Sequence, residues 1–248
     1  MIENYIYGRR PVLEALRQKG QVQRVLIAKG SHEGSIRQIW SLAKDQGLYI
    51  EEVERAVLDR YEEGVHQGVI AFTEGTRLVD VETLMAKAAE KNEPLLLALL
   101  DGITDPHNFG AIIRSAEVLG VHGVVFPKRR SAPLSATVMK SAAGALSHMA
   151  LSQVSNLDQT VRMLQDQGVW VAVAAAEGDV YLDAVDFNVP FAIVIGSEGE
   201  GVSELLRKRA DLQVKIPMQG QISSLNASVA ASLFFYEAMR QRKRGKNG

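Results

Sequence analysis

The chain has 248 residues, of which 46% are hydrophobic and 23% charged, and a formal net charge of −1. That length allows one large domain or two small ones, and the apolar fraction supports a buried core and argues against a disordered chain. Cysteine is absent, which excludes disulfides, thiolate metal sites and a cysteine nucleophile. No basic segment followed by an apolar stretch opens the sequence, and runs such as Leu95 to Leu100 are far too short to span a membrane. A soluble, cytoplasmic protein with no membrane partner is expected.

In chain order, Tyr5-Ile6-Tyr7 reads as a short strand. Pro11 suits the first turn of a helix that runs to Gln18 and stops at Gly20. Val22 to Ala28 reads as a strand, Ser35 to Gln46 as a helix closed by Gly47, and Leu48 to Val53 as a strand. A short helix over Arg55 to Tyr61 precedes a strand from Gly68 to Thr73. Strands alternating with helices predict a small α/β domain over residues 1–75. Residues 76–93 change character: one weakly amphipathic helix (Val81, Leu84, Met85, Ala88) lies between Glu74-Gly75-Thr76 and Lys91-Asn92-Glu93-Pro94. They read as an interdomain connection.

From Pro94 to the end, residues 94–248, the alternation restarts with stronger strands: Leu95 to Leu100, His122 to Phe126, Val169 to Ala175, Phe191 to Ile195 and Leu212 to Ile216. These nearly continuous apolar runs lack in/out alternation, as expected of a parallel sheet covered on both faces. Helices are predicted over Phe109 to Leu119, Ser135 to Ala145, Leu157 to Gln167, a short stretch from Val202, and Ala227 to Arg242. Gly120 and Gly168 close two of them.

Charge is distributed unevenly along this chain. Residues 1–93 carry 13 Lys+Arg against 15 Asp+Glu, and residues 94–248 carry 15 against 14. In the second part the basic residues bunch as Lys128-Arg129-Arg130, as Arg207-Lys208-Arg209, and in a tail with Arg240, Arg242, Lys243, Arg244 and Lys246. Such clusters are either phosphate contacts or solvated faces.

Familiar signatures are missing: there is no GxxxxGK[ST], no GxGxxG, no HExxH and no GxSxG. The five histidines (His32, His66, His107, His122 and His148) are scattered, and no pair has metal-ligand spacing, so no metal site is indicated. Three segments in the second part end strands, where open parallel sheets bind ligands. The first, Asp101-Gly102-Ile103-Thr104-Asp105-Pro106-His107-Asn108 running on to Arg114, fits a functional turn or a helix capped at Asn108 with a solvent-facing arginine. The second, Gly196-Ser197-Glu198-Gly199-Glu200-Gly201, allows close backbone approach to a ligand or a mobile acidic turn. The third, Ile216-Pro217-Met218-Gln219-Gly220-Gln221-Ile222-Ser223-Ser224-Leu225-Asn226-Ala227-Ser228-Val229-Ala230, crowds polar residues at a helix entrance. Capping explains only one of them.

Taken jointly, the pattern DPHNxGAxxRSA, GxEGEG and IPMxGxxxSLNxSVA resembles the three motifs of the SpoU/TrmH branch of the SPOUT RNA 2′-O-ribose methyltransferases, over most of residues 95–242. Ile6-Tyr7-Gly8, Val12 to Leu16 and Val65-His66-Gln67-Gly68 further resemble the bacterial 23S rRNA guanosine 2′-O-methyltransferase subgroup (RlmB type). The resemblance implies an L30e-like RNA-recognition domain followed by a mostly parallel α/β domain whose C-terminal segment threads a trefoil knot, the SPOUT fold. It implies S-adenosylmethionine as methyl donor, placed at Gly196, Ile216 and Leu225, and no metal. Implied partners are 23S rRNA or a large-subunit assembly intermediate, and a second copy of the chain as a homodimer. A tRNA guanosine 2′-O-methyltransferase and a catalytically silent RNA-binding assembly factor are the alternatives.

By the same resemblance the catalytic group is Arg114, Asn108, Glu198, Ser224 and Asn226. The family assigns Arg114 as base, assisted by a substrate phosphate. A guanidinium holds its proton strongly, which favours a phosphate clamp that also stabilises a developing alkoxide and leaves the base open. Glu198, Ser224, Asn108 and Asn226 would then orient Arg114 and the ribose.

Overall fold

The computed structural model describes residues 2–17, 22–31, 34–61, 64–76, 78–221 and 224–246. Gln18, Gly20, His32 and the Ile222-Ser223 pair named above lie outside these. The chain divides into two compact units, one running through Thr76 and taking in Leu134–Met139, the other holding the remainder.

The first unit contains β1 (Ile2–Tyr7), α1 (Arg9–Arg17), β2 (Val22–Ala28), α2 (Ser35–Asp45), β3 (Tyr49–Val53), α3 (Arg55–Asp59) and β4 (Val69–Thr76). Its sheet has the order β1-β4-β2-β3, with β4 antiparallel to β1 and β2, and β3 parallel to β2. Both faces of β2 are covered. Val25 and Ile27 face Val12 and Leu16 of α1 and Ile36 and Ile39 of α2, whereas Leu26 packs with Leu58, Ile70 and Phe72. The Val65-His66-Gln67-Gly68 motif has a local cause. His66 is fully buried, receives the Gly68 N–H on Nδ1 (3.0 Å), and so carries its proton on Nε2, which donates to Asp59 Oδ1 (2.9 Å). That bond, with a second from the Gly64 N–H, holds the Asp59 carboxyl below its ordinary range. The clasp supports Gln67 in the left-handed region (φ +54°), where its carbonyl accepts from Arg9 Nε (3.1 Å).

The second unit comprises α4 (Val81–Glu90), β5 (Leu96–Asp101), α5 (Pro106–Val118), β6 (Gly123–Pro127), α6 (Ala136–Ala142), β7 (Leu151–Val154), α7 (Leu157–Asp166), β8 (Trp170–Ala174), β9 (Val180–Tyr181), β10 (Phe191–Gly196), α8 (Glu204–Arg209), β11 (Leu212–Lys215) and α9 (Ala227–Lys246), although α6 begins within the segment grouped with the first unit. Seven parallel strands form one sheet in the order β7-β6-β5-β10-β8-β11-β9. β5 is buried at every position, so its apolar run follows from helices on both faces. Gly120 and Gly168 adopt positive φ after α5 and α7, and the residue following each donates back into the helix (Val121 N to Ala116 O, Val169 N to Leu164 O).

Three features depart from the sequence reading. Residues 78–93 do more than connect: the helix expected there forms as α4 and buries Val81, Leu84 and Ala88 in the core of the second unit. Leu84 occupies the space over Gly123, where a Cβ would lie 2.6 Å from it, and burying such a leucine contributes roughly 1.5–3 kcal/mol. The strands β7 and β9 are absent from the sequence reading because both are edge strands, one half-polar (Leu-Ser-Gln-Val) and the other two residues long. The last helix continues past Arg242 because Arg242 is anchored. Its guanidinium donates to the carbonyls of Pro94 (2.6 Å), Phe187 (2.8 Å), Leu95 (2.9 Å) and Val189 (3.2 Å).

Candidate active site

Because all seven strands are parallel, their carboxyl ends share one edge of the sheet. The loops after β6, β5 and β10 are consecutive there. The first motif leaves β5 through Gly102, whose φ of +74° suits glycine, and enters α5 at Pro106. Asp105, not Asn108, caps that helix. Its carboxylate accepts from the N–H groups of His107 (3.3 Å) and Asn108 (3.1 Å). Asn108 therefore sits inside the first turn with its side chain released for other work.

The second motif leaves β10 at Gly196, which pairs in register with Asp101 of β5. The loop closes on itself, with Ser197 and Gly201 exchanging backbone hydrogen bonds (3.2 and 3.0 Å). Its return path runs so near Gly196 that a Cβ there would lie 2.1 Å from the Gly201 carbonyl carbon. Glycine at 196 is thus demanded by the loop's own backbone. Asp101, buried and beyond the sequence reading, accepts from Ser203 N (2.8 Å) and ties the loop back to β5.

The third motif follows β11, two strands away from β10 in the sheet, yet its end meets the other two motifs. Asn226 caps α9, its Oδ1 accepting from Ser228 N (2.9 Å), Val229 N (3.2 Å) and Ser228 Oγ (2.6 Å). With the oxygen so engaged, the Asn226 amide nitrogen must point the other way. It donates to Asn108 Oδ1 (2.9 Å) and to Glu198 Oε1. Asn108 Nδ2 donates to the same Glu198 oxygen (2.8 Å), which closes a three-membered ring of side chains. One carboxylate oxygen takes both amide donors. Among the described residues, Glu198 Oε2 has no partner.

The ring joins three residues whose positions span 118 residues of sequence. Two others named from the sequence stand outside it. Arg114 is exposed on α5 and Ser224 is exposed before α9, and among the described residues neither side chain has a partner. Neighbouring residues brace the helices: Ser115 of α5 and Ser232 of α9 share a hydroxyl hydrogen bond (2.8 Å), and Ser232 donates to the Ser228 carbonyl (2.7 Å). His107 Nδ1 pairs with Ser141 Oγ (3.2 Å). A serine spaced four residues from another in an apolar helix is the signal that could have revealed the α9 brace.

The third motif also carries apolar side chains. Ile216 is half-buried, and Met218 and Leu225 are 37% and 38% exposed. With the backbone groups of the 197–201 and 216–221 segments, the second and third motifs supply apolar side chains, uncharged donors and acceptors, and the Glu198 carboxylate. This donor set fits a nucleoside that carries a positive sulfonium. Among the described residues, no group of three or more His, Cys, Asp or Glu is placed to hold a metal ion.

Comparison with known proteins decides the family. Residues 95–236 match the SpoU rRNA Methylase family, and residues 5–79 match the RNA 2′-O ribose methyltransferase substrate-binding family. The chain belongs to the SpoU methylase family. A Bacillus subtilis protein assigned to the TrmH family of tRNA/rRNA methyltransferases, YacO, is 39% identical over 96% of both chains. A Staphylococcus aureus (strain COL) protein with the same family assignment is 40% identical over 98% of both. Among solved structures, the SpoU methyltransferase AviRb from Streptomyces viridochromogenes, in complex with AdoMet, superposes with a TM-score of 0.72 at 26% identity, covering 98% of this chain and 92% of that one. This SpoU methylase therefore carries its three motif segments on an α/β fold shared with an RNA methyltransferase class.

Proposed function

We propose that this SpoU methylase transfers the methyl group of S-adenosylmethionine to the ribose 2′-hydroxyl of a guanosine in the peptidyl-transferase loop of 23S rRNA. The ring formed by Asn108, Glu198 and Asn226 carries the reading, because it draws the three motifs to one point at the carboxyl edge of the sheet. The match of residues 5–79 to a substrate-binding family supports a first unit that holds structured RNA. The motifs around residues 6–16 and 65–68, which resemble the 23S rRNA subgroup, support the choice of rRNA.

When bound, S-adenosylmethionine supplies a methyl group already activated by the sulfonium charge. Ile216 and Leu225 would hold its apolar parts, and the turn that begins at Gly196 would meet it through backbone groups. The chain's own residues then have to align the hydroxyl and manage its proton. The two amide donors fix the Glu198 carboxylate, so that its free Oε2 can accept the ribose hydroxyl's hydrogen bond. Arg114, exposed and unpaired among the described residues, would clamp a phosphate and offset developing negative charge on the oxygen. Ser224 is a further hydroxyl donor toward the ribose. Orientation of this kind supplies several kcal/mol, and a positioned base roughly 10²–10⁴-fold.

The reading includes a homodimer. Val229, Leu233 and Tyr236 are 46%, 38% and 52% exposed at i, i+4 and i+7 along α9, an apolar stripe of the kind a second copy covers. The test is methyl transfer from radiolabelled S-adenosylmethionine to 23S rRNA and tRNA transcripts, with sedimentation of the protein alone. Labelling of 23S rRNA at a guanosine ribose by a dimer is expected. Labelling of tRNA alone would move the substrate assignment, and no labelling of either RNA would overturn the reading.

A further inference from the structure

The basic clusters of the second unit differ in what their charges already touch. In the 207–209 cluster every charge is engaged: Arg207 donates twice to Gln213 Oε1 (3.2 and 3.1 Å), Lys208 pairs with Glu204 (2.5 Å), and Arg209 with Asp158 (3.0 Å). At the C-terminal end, Arg240 pairs with Glu237 (2.5 Å) and Arg242 is consumed by four carbonyls. A phosphate arriving at Arg207, Arg209, Arg240 or Arg242 would have to displace a partner that is already seated; Lys208 has only an exposed ion pair, and Lys243 is exposed with no side-chain partner among the described residues.

The 128–130 cluster is different. Lys128, Arg129 and Arg130 are all exposed, and among the described residues neither Lys128 nor Arg129 has a side-chain partner. Arg130 has a single long contact, to Glu200 at 3.5 Å, between side chains that are 64% and 83% exposed. An ion pair that open to water is weak and easily exchanged.

Position supplies the second line of argument. The cluster begins immediately after β6, and β6 borders β5 on the side away from β10, so its loop shares the carboxyl edge with the first and second motifs. Backbone ties it there, because Ala132 N donates to the Ile103 carbonyl (2.8 Å) within the first motif. Arg130 adopts φ +60°, a left-handed conformation that arginine rarely takes, and this turns its guanidinium over Gly102. A Cβ at residue 102 would lie 3.7 Å from Arg130 Nη2 and equally near Ser197 of the second motif. Strained backbone of this kind is retained where a side chain must be aimed.

We propose that Lys128, Arg129 and Arg130 form the phosphate-binding edge of the RNA site, holding the strand next to the reacting ribose, with Arg130 exchanging Glu200 for a phosphate when RNA arrives. The proposal rests on the reading above that the substrate is RNA. It gives the cluster a positioning role distinct from the ring of Asn108, Glu198 and Asn226. It also links occupancy of the RNA edge to the second-motif loop, since Glu200 is released as the phosphate binds.

The experiment measures binding of a 23S rRNA stem-loop transcript to the full chain between 50 and 200 mM salt, for wild type, Lys128→Ala/Arg129→Ala, Arg130→Asn, Glu200→Gln and Lys208→Ala. Asparagine is chosen at 130 because it tolerates left-handed backbone. Calorimetry with S-adenosylmethionine checks that each variant keeps its fold. The double variant is expected to bind RNA at least tenfold more weakly and to raise KM for RNA far more than it lowers kcat. Its slope of log affinity against log salt should shrink by about 0.7–0.9 for each phosphate that is no longer neutralised. Arg130→Asn should lose affinity likewise, Glu200→Gln should bind at least as tightly as wild type, and Lys208→Ala should match wild type.

An unchanged affinity and salt slope in the double variant would overturn the proposal. So would an equal loss in Lys208→Ala, which would show a non-specific charge effect. A loss in Glu200→Gln as large as that in Arg130→Asn would overturn the exchange and make the pair a loop strut. If wild type neither binds nor methylates RNA, the functional reading fails; if it does both and the variants are indistinguishable from it, this proposal alone fails.

Discussion

Asn226 is the residue at which stability and chemistry can be separated, because its two side-chain atoms do different jobs. Oδ1 caps α9 through Ser228 N and Val229 N, while Nδ2 donates to Asn108 and Glu198. Asn226→Ala removes both functions. Loss of the cap costs about 0.5–2 kcal/mol, and for a chain of this length that lowers Tm by about 2–4 °C for each kcal/mol. Loss of the donors frees Asn108 and the Glu198 carboxylate to rotate, and misplacement of about 1 Å costs on the order of 10²-fold in rate. Asn226→Asp keeps an oxygen for the cap, at a helix N-terminus where negative charge is favoured, but sets a second carboxylate against Glu198. The aspartate variant should therefore retain most of the cap contribution and lose at least as much activity as the alanine variant. Thermal unfolding paired with single-turnover methyl transfer measures both. If Asn226→Asp keeps near-normal turnover, the amide donors are not needed and the ring is only a brace.

The remaining expectations concern separate parts of the molecule. Arg114→Ala should abolish methyl transfer while S-adenosylmethionine affinity, read by calorimetry, stays within a few fold; Arg114→Lys should also be severely impaired, because lysine cannot reproduce a planar fork of donors. Burial lowers the Arg242 guanidinium to about 10, yet it should stay charged at neutral pH. Arg242→Met should strand buried carbonyl acceptors and destabilise the second unit by about 3 kcal/mol, visible as a lower denaturant midpoint at unchanged slope. His122 is buried, accepts the Leu96 N–H on Nδ1 (3.1 Å) and pairs with Glu93, and burial is the main cause of its lowered pKa. The folded state therefore binds fewer protons than the unfolded state just below pH 6.5, so His122's contribution to stability is present above that pH and falls away as pH drops below it. His122→Asn, which keeps an acceptor but does not titrate, should flatten the stability profile below about pH 6.5; a profile parallel to wild type would refute this.

Much of the fold is legible in the sequence because burial on both faces leaves a strong trace. The runs Leu95 to Leu100 and Phe191 to Ile195 sit at the centre of the sheet, and both are readable as strands. Strands at the edges carry no such trace: Val180–Tyr181 is held by pairing with β11 alone. The helix in residues 76–93 is legible, but its weak amphipathicity makes the segment read as a connection, and Leu84 becomes a core residue only when Gly123 leaves room for it. At the site, the family resemblance points to Asn108, Glu198 and Asn226, but spacing cannot show that Asp105 takes over the capping and frees Asn108. Nor can sequence sort the basic clusters, since Arg209 meets Asp158 across 51 residues. Long-range pairing decides which charges remain available, and one sequence does not display it.

The proposed reaction is methylation of a ribose 2′-hydroxyl on a 23S rRNA guanosine. Mass-spectrometric mapping of ribose methylation in rRNA and tRNA, from cells with the protein, without it, and complemented with Glu198→Gln, tests it most directly. One guanosine in the peptidyl-transferase loop is expected to lose its methyl group without the protein and to fail to regain it with the Glu198→Gln variant, with tRNA unchanged. An identical rRNA methylation map in all three strains would contradict it.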